Sequence, residues 1–301
     1  MASQRDVKNK IASVKNIQKI TRAMEMVAGA RLRRAEQRIE ALRPYADALA
    51  RMTRQAAQAA GAEAARVPLL GEHESESTVG LLLVTGDRGL AGGFNSQIIR
   101  AGVRLSAEMS EQGLRSSWYA TGRRGVSSVS FRGYELHGIY TGFADRPAYA
   151  DARTIADDLI QAYLDGRVDR VEMLYNSYVS PLTQTVTRQT LLPLSGEALG
   201  EGDDSSDGDA SKAGTPTSVD YEPDPETILR RLVPDYIEIS IYRALVESAA
   251  GFFGAQMTAM RSASENAGEI ITDYTLQMNR ARQAEITQEI MEVVAGAEGL
   301  S

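Results

Sequence analysis

Between Tyr236 and Ala297 a line of mostly apolar or small residues steps alternately by three and four: Ile239, Tyr242, Val246, Ala249, Phe253, Gln256, Met260, Ala263, Ala267, Ile270, Tyr274, Gln277, Ala281 and Ala284. A mean step of 3.5 is the spacing of a coiled-coil seam. The line keeps its phase beyond six heptads, and no proline follows Pro234. At about 1.5 Å per residue, roughly 60 helical residues span about 90 Å, more than the width of a typical domain. Ala249, Gln256, Ala263, Ala267 and Gln277 are small or polar, so the seam is slim. A long helix folded into a bundle shares this period. Length and unbroken register favour a helix that projects beyond its own domain.

The first 60 residues read the same way. Ile17, Ile20, Met24 and Val27 follow a 3-4-3 spacing, led in by Val7, Ile11 and Val14 and continued by Ala35, Ile39 and Leu42. Pro44, the sole proline before Pro68, marks a kink or a change of partner. An isolated amphipathic helix is unstable in water, so the two terminal helices are expected to pair with each other, antiparallel.

Between them the rhythm changes. Val79 to Val84 reads as a buried strand, followed by the turn Thr85-Gly86-Asp87-Arg88-Gly89. Phe94 to Met109 is helix-like, Leu114 to Ala120 a second strand, and Glu135 to Tyr140 a weaker one. Tyr149 to Leu164 is helical, and Val168 to Val179 and Thr185 to Leu192 complete the set. Alternating strand and helix predicts an α/β domain with a mostly parallel, Rossmann-like sheet. The expected divisions are therefore a coiled-coil helix over 1–60, the α/β domain over 77–195, an acidic disordered loop over 196–220, and a second coiled-coil helix over 225–301.

Composition limits the chemistry. A hydrophobic fraction of 43% and a charged fraction of 24% are those of a soluble globular chain, expected in the cytoplasm. The absence of cysteine removes disulfides, thiolate metal sites, a cysteine nucleophile and thiol-based redox control. His73 and His137 lie far apart in sequence, which argues against a histidine metal cluster. No apolar run is long enough to cross a bilayer, and the charged N-terminus lacks a signal-peptide core. Charge is segregated: residues 1–60 hold thirteen Lys/Arg against five Asp/Glu, and residues 195–226 hold ten Asp/Glu against Lys212 alone. The basic helix would suit nucleic acid, an anionic membrane or an acidic protein sleeve, or it is simply a solvated face.

One stretch resembles a phosphate loop. Gly86 to Asn95 follows a strand and opens a helix. It matches neither the dinucleotide pattern nor the Gly-Lys-Ser/Thr ending of a P-loop, and its glycines also suit a tight turn. No Ser/His/Asp set or catalytic carboxylate pair stands out, so no catalytic, cofactor or metal residue is expected. At the far end, residues 282–292 are polar almost all round, before an apolar turn at Val293 and Val294. A helix tip held in a protein socket would use both features.

Taken together, Lys10-Ile11-Ala12-Ser13-Val14, Gln18 to Ala28, Asp87-Arg88-Gly89-Leu90-Ala91-Gly92-Gly93, Tyr221-Glu222-Pro223-Asp224, Arg280 to Ala284 and the Ile286 to Ala297 ending resemble the gamma subunit of bacterial F-type ATP synthases. The resemblance runs from end to end. It implies a central rotor shaft made of an antiparallel two-helix coiled coil. That shaft stands within three alpha and three beta subunits, with the α/β domain at its foot beside the epsilon subunit and the c-ring. It implies one copy per complex, proton-driven coupling to the beta-subunit catalytic sites, and a peripheral place on the cytoplasmic face of the plasma (inner) membrane. No nucleic acid, cofactor or direct membrane insertion is implied. Ala91 stands where a cysteine is common, the acidic loop is longer than usual, and the Glu298-Gly299-Leu300-Ser301 tail departs from the family's ending.

By that resemblance, Arg282 and Gln283 form a catch on a beta-subunit loop, supported by Thr287, Glu289 and Glu292. Met24, near Arg22 and Arg31, would face the acidic part of the sleeve, and the Asp87, Arg88, Gly89 turn would lie near a partner surface. A nucleotide-binding enzyme using the Gly86 to Gly93 turn and a non-rotating coiled-coil adaptor are the competing readings.

Overall fold

A computed structural model describes residues 4–73, 75–194, 222 and 224–298. The acidic stretch 196–220, Tyr221, Pro223 and the last three residues lie outside the described residues. The elements run α1 (Gln4–Ala60), a short 3-10 turn (Gly61–Arg66), β1 (Thr78–Val84), α2 (Phe94–Glu111), β2 (Arg115–Thr121), α3 (Arg123–Phe131), β3 (Leu136–Tyr140), α4 (Tyr149–Leu164), β4 (Arg170–Ser180), β5 (Thr183–Leu192) and α5 (Pro225–Glu298). Pro44 and Pro234 both lie inside helices that continue through them. α5 opens with proline in its first position, where no amide donor is needed. The carboxylate of Asp224 caps it, accepting from Thr227 N and Thr227 Oγ1, each at 2.8 Å.

The chain divides into two compact units, residues 1–30 with 256–301, and residues 31–255.

The larger unit holds the sheet, in the order β3-β2-β1-β4-β5. β1 to β4 are parallel, and β5 returns antiparallel along β4. β1 is the centre: Val79, Leu81, Leu82, Leu83 and Val84 are all buried, as a strand covered on both faces must be. α4 covers one face with Ile155, Ala156, Leu159 and Tyr163, and α5 adds Leu229, Val233, Ile237 and Ile241 to the same core. α4 is capped by Asp151, whose carboxylate takes the Ala148 amide at 2.8 Å.

α3 departs from the sequence reading, which left 121–134 without a helix. In its run Arg-Arg-Gly-Val-Ser-Ser-Val-Ser-Phe only the two arginines are strong helix formers. It is helical because the turn before it is tied down. Thr85 Oγ1 receives the Gly125 amide at 2.9 Å, and Val129 is fully buried.

In the smaller unit α1 and α5 run antiparallel. Partners fall in number along α5 as they rise along α1: Lys10 Nζ lies 5.7 Å above the Tyr274 ring, Gln18 Nε2 donates to Ser264 O at 3.2 Å, and Glu25 pairs with Arg261 at 2.9 Å. The buried or half-buried line on α1 here is Val7, Ile11, Val14, Gln18, Thr21, Glu25 and Ala28, a strict 4-3 alternation. The expected line through Ile17, Ile20 and Val27 is therefore corrected by one position. Those three aliphatics are 52%, 59% and 53% exposed. On α5 the same one-residue correction replaces Ile270 and Gln277 by Ile271 and Met278, and Ala284 is exposed.

Candidate partner-contact site

Beyond Ala281, every described side chain of α5 faces solvent. Arg282, Gln283, Thr287, Glu289 and Glu292 all lie in this stretch, and all are exposed. Thr287 Oγ1 donates back to Gln283 O at 2.8 Å, and Gln288 Nε2 donates to Glu292 Oε1 at 2.9 Å. These local bonds hold the polar residues on the helix surface without engaging another element. Ile286, Ile290, Met291, Val293 and Val294 share the stretch at 47% to 72% exposed. Apolar side chains left bare on a helix end beside polar ones suit a surface completed by another protein.

Met24 is half-buried, between the exposed face of α1 and its paired line. The exposed Ile17, Ile20 and Val27 flank it at helical spacing, so they form an apolar stripe along the outside of this helix pair. The pair therefore has a seam of mixed aliphatic and polar residues and an apolar stripe on one outer face.

The Asp87, Arg88, Gly89 turn has a different position and use. Asp87 accepts four amide contacts: from Arg123 N at 3.1 Å, Gly142 N at 3.1 and 3.0 Å, and Ala144 N at 3.1 Å. Arg88 and Arg31 converge on Asp145, at 3.6 and 3.3 Å. Asn95 closes the loop, accepting from Gly86 N at 2.8 Å and donating to Arg88 O at 3.0 Å. The loop thus spends its polar groups on the chain itself. Leu90, at its tip, has φ of 64° and is 63% exposed. An exposed, left-handed leucine makes no internal use of its side chain.

The sheet order also decides what the glycine-rich loop can hold. In a doubly wound sheet a nucleotide sits outside the carboxyl ends of the strands where the order reverses, here between β1 and β4. That crevice is filled by α5. A Cβ built on Gly86 would meet Phe252 Cδ2 at 3.0 Å, and one on Gly251 would meet Phe94 at 3.1 Å and Asn176 at 3.9 Å. Phe252 is 3% exposed and packs edge-on against Phe94 with centroids 5.7 Å apart. Among the described residues no three His, Asp or Glu side chains are grouped to hold a metal, and no helix is long and apolar enough to cross a membrane.

Sequence reasoning missed the polar contacts that fasten the long helices within the larger unit. Tyr178 Oη donates to Glu36 at 2.5 Å, Tyr149 Oη to Glu238 at 2.6 Å, and Ser177 Oγ to Glu247 at 3.0 Å. Burial and the neighbouring Glu36 carboxylate push the Tyr178 phenol well above its ordinary range. Glu238 and Glu247 are buried charges on a helix otherwise rich in apolar residues. That was the one signal available in the sequence.

Comparisons with known proteins cover the whole chain. A family model described as ATP synthase matches residues 3–300. The ATP synthase gamma chain of Rubrobacter xylanophilus is 42% identical over 301 residues, spanning 100% of this chain and 99% of the relative. That of Nostoc punctiforme is 40% identical over 316 residues and covers 100% of both. Among solved structures, a chain of the Tetrahymena thermophila mitochondrial ATP synthase central stalk and c-ring aligns with a TM-score of 0.57 at 25% identity, over 81% of this chain and 99% of that one. A chain of the Euglena gracilis mitochondrial ATP synthase shares the fold, with a TM-score of 0.66 at 14% identity over 99% and 94%. With its sheet order, helix pairing and full-length similarity all in agreement, this chain belongs to the ATP synthase gamma-chain family.

Proposed function

We propose that this chain is the central rotor shaft of a proton-translocating F-type ATP synthase, coupling rotation of a membrane c-ring to conformational change at the beta-subunit catalytic sites. The observation that carries the reading is the helix pair of residues 4–30 and 256–298. Its inner line mixes the aliphatics Val7, Ile11 and Val14 with Gln18, Thr21 and Glu25, while the bulky aliphatics Ile17, Ile20 and Val27 face outward. A helix pair that served only to bury its own seam would keep such aliphatics off its outer face. One that turns inside a close-fitting sleeve needs a slim seam and an apolar outer face. In this reading the pair is a coiled coil, and three alpha and three beta subunits surround it. The α/β domain meets the epsilon subunit and the c-ring, one copy serves each complex, and the chain is peripheral at the cytoplasmic face of the membrane.

The chain contributes no catalytic residue of its own. It acts by presenting different surfaces to each beta subunit in turn. Arg282 and Gln283 would form a catch on one beta conformation. A charge-assisted arginine contact contributes about 1.5–3 kcal/mol, enough to favour one conformation by tenfold or more. Thr287, Glu289 and Glu292 support that contact, Met24 lies where the sleeve is acidic, and the Asp87, Arg88, Gly89 turn lies near a partner surface.

Purification of the membrane complex through a tag on this chain, followed by subunit counting, tests the reading. One copy per three beta subunits is the expected result. A one-to-one complex with a single partner, or a free chain, would contradict it.

A further inference from the structure

Two adjacent residues of the β4–β5 hairpin hold both long helices at once. Tyr178 Oη donates to Glu36 Oε1 on α1 at 2.5 Å. Ser177 Oγ donates to Glu247 Oε2 on α5 at 3.0 Å, and Tyr178 N reaches the same oxygen at 3.4 Å. The other oxygen of Glu247 receives Arg243 Nε at 2.8 Å, and the Glu247 side chain is only 6% exposed. Other polar links to the helices, such as Arg31 to Asp145 and Tyr149 and Arg153 to Glu238, each reach one helix from one loop or helix. The Ser177-Tyr178 pair alone among these joins two carboxylates from two helices through one strand.

A buried carboxylate is costly to keep, and an apolar side chain at position 247 would fill the space without that cost. What a hydrogen-bonded charge adds is direction. Apolar contact is non-directional and tolerates a small turn of a helix about its axis, whereas a hydrogen bond weakens steeply as its angle departs from linear. We infer that Ser177 and Tyr178 are positioning residues: a clasp that fixes the azimuth of α1 and α5 against the α/β domain, so that turning the domain turns both helices without lag. The inference rests on the rotor reading above and names the residues through which torque passes from sheet to helices. Glu36 and Glu247 are its anchors, and removing the two hydroxyls leaves the aromatic packing of position 178 in place.

The test uses the assembled complex, immobilised by its ring. A reporter bead is attached through Glu111→Cys, an exposed position in a chain with no cysteine of its own. The angular spread of the bead during a catalytic dwell reports the torsional stiffness between domain and helices. Ser177→Ala with Tyr178→Phe should widen that spread while the complex assembles and hydrolyses ATP as before. Glu36→Leu should widen it too, and Glu36→Gln, which keeps an acceptor oxygen, should restore the parent width. Loss of a merely stabilising contact would lower the yield of assembled complex without changing the spread in what assembles. An unchanged spread in the assembled variants therefore overturns the clasp. Should the double variant not assemble, Ser177→Ala and Tyr178→Phe alone carry the test, and parent widths in both overturn it. Subunit counting on the unmodified complex keeps this separate from the rotor reading. That reading fails if the parent chain is not a single copy in the ring, whatever the hairpin variants do.

Discussion

Phe252 closes over Gly86: a single methyl group added at position 86 would lie 3.0 Å from the ring. The helix that carries Phe252 thereby occupies the crevice in which a sheet of this strand order otherwise holds a nucleotide. The place is taken by packing, with Phe94 edge-on to Phe252 and Phe253 beyond it. Phe252→Ala should lower the stability of the chain by about 3–5 kcal/mol, the usual cost of emptying a buried aromatic site. Urea unfolding checks this. Calorimetric titration of the parent chain with ATP or ADP should give no heat of binding, and saturable binding would show that the crevice opens.

Asp87 is a structural hub whose amide donors come from sequence positions 36 to 57 residues away. Asp87→Ala strands those amides and frees the loop that presents Asp145 to Arg31 and Arg88. A loss of about 2 kcal/mol is expected, given the partial exposure of the site and the strength of charge-assisted bonds. Thermal unfolding reads the loss. A change within about 0.5 kcal/mol, as for an ordinary surface substitution, would mean the loop is held by other contacts.

Asp169 gives the fold a dependence on acid. Burial alone would raise its pKa. Bonds from His73 at 3.0 Å, the Ser77 amide at 2.8 Å and the Thr78 amide at 2.9 Å outweigh burial and bring the carboxyl from 3.8 to about 2. A carboxylate with a depressed folded-state pKa contributes stability that is present above its unfolded value and lost as pH falls through the folded one. The contribution should therefore be whole above about pH 5 and disappear as the pH falls toward 2. Denaturant unfolding at stepped pH should show a shallower acid slope for Asp169→Asn than for the parent. Identical slopes would contradict the assignment.

Much of the architecture was legible because it rests on local pattern. β1 announces itself as a continuous apolar run, and α4 as Ile155, Leu159 and Tyr163 at helical spacing. The helix pair was legible in period but off by one in phase around Ile17 to Val27. The reading placed the largest aliphatics inside, whereas the paired line is Gln18, Thr21, Glu25 and Ala28, with Gln18 and Glu25 bonded across to Ser264 and Arg261. Size stops marking the interior when a helix carries an outer apolar face as well. α3 was not legible, since serine and glycine are weak helix formers and its helicity comes from Thr85 and the sheet beneath. The helix-fastening contacts of Glu36 and Glu247 were hidden for a different reason. Tyr178 is 142 residues from Glu36, and no spacing rule links them.

Arg282→Ala with Gln283→Ala should leave the stability of the chain within about 0.5 kcal/mol of the parent, because both side chains are exposed on a helix surface. The same double variant should assemble into the full complex yet lose most multisite ATP turnover and synthesis. Steady-state hydrolysis and proton-driven synthesis in reconstituted vesicles measure this. Parent rates in a fully assembled double variant would remove these two residues from the catch.

Rotation itself is the most direct measurement. With the ring of alpha and beta subunits fixed to a surface and a bead on the α/β domain at Glu111→Cys, ATP should drive continuous, one-directional turning of this chain. Its pauses should be spaced by a third of a revolution if the proposed complex carries three beta subunits. A bead that fluctuates about one fixed angle while the complex hydrolyses ATP would contradict the account.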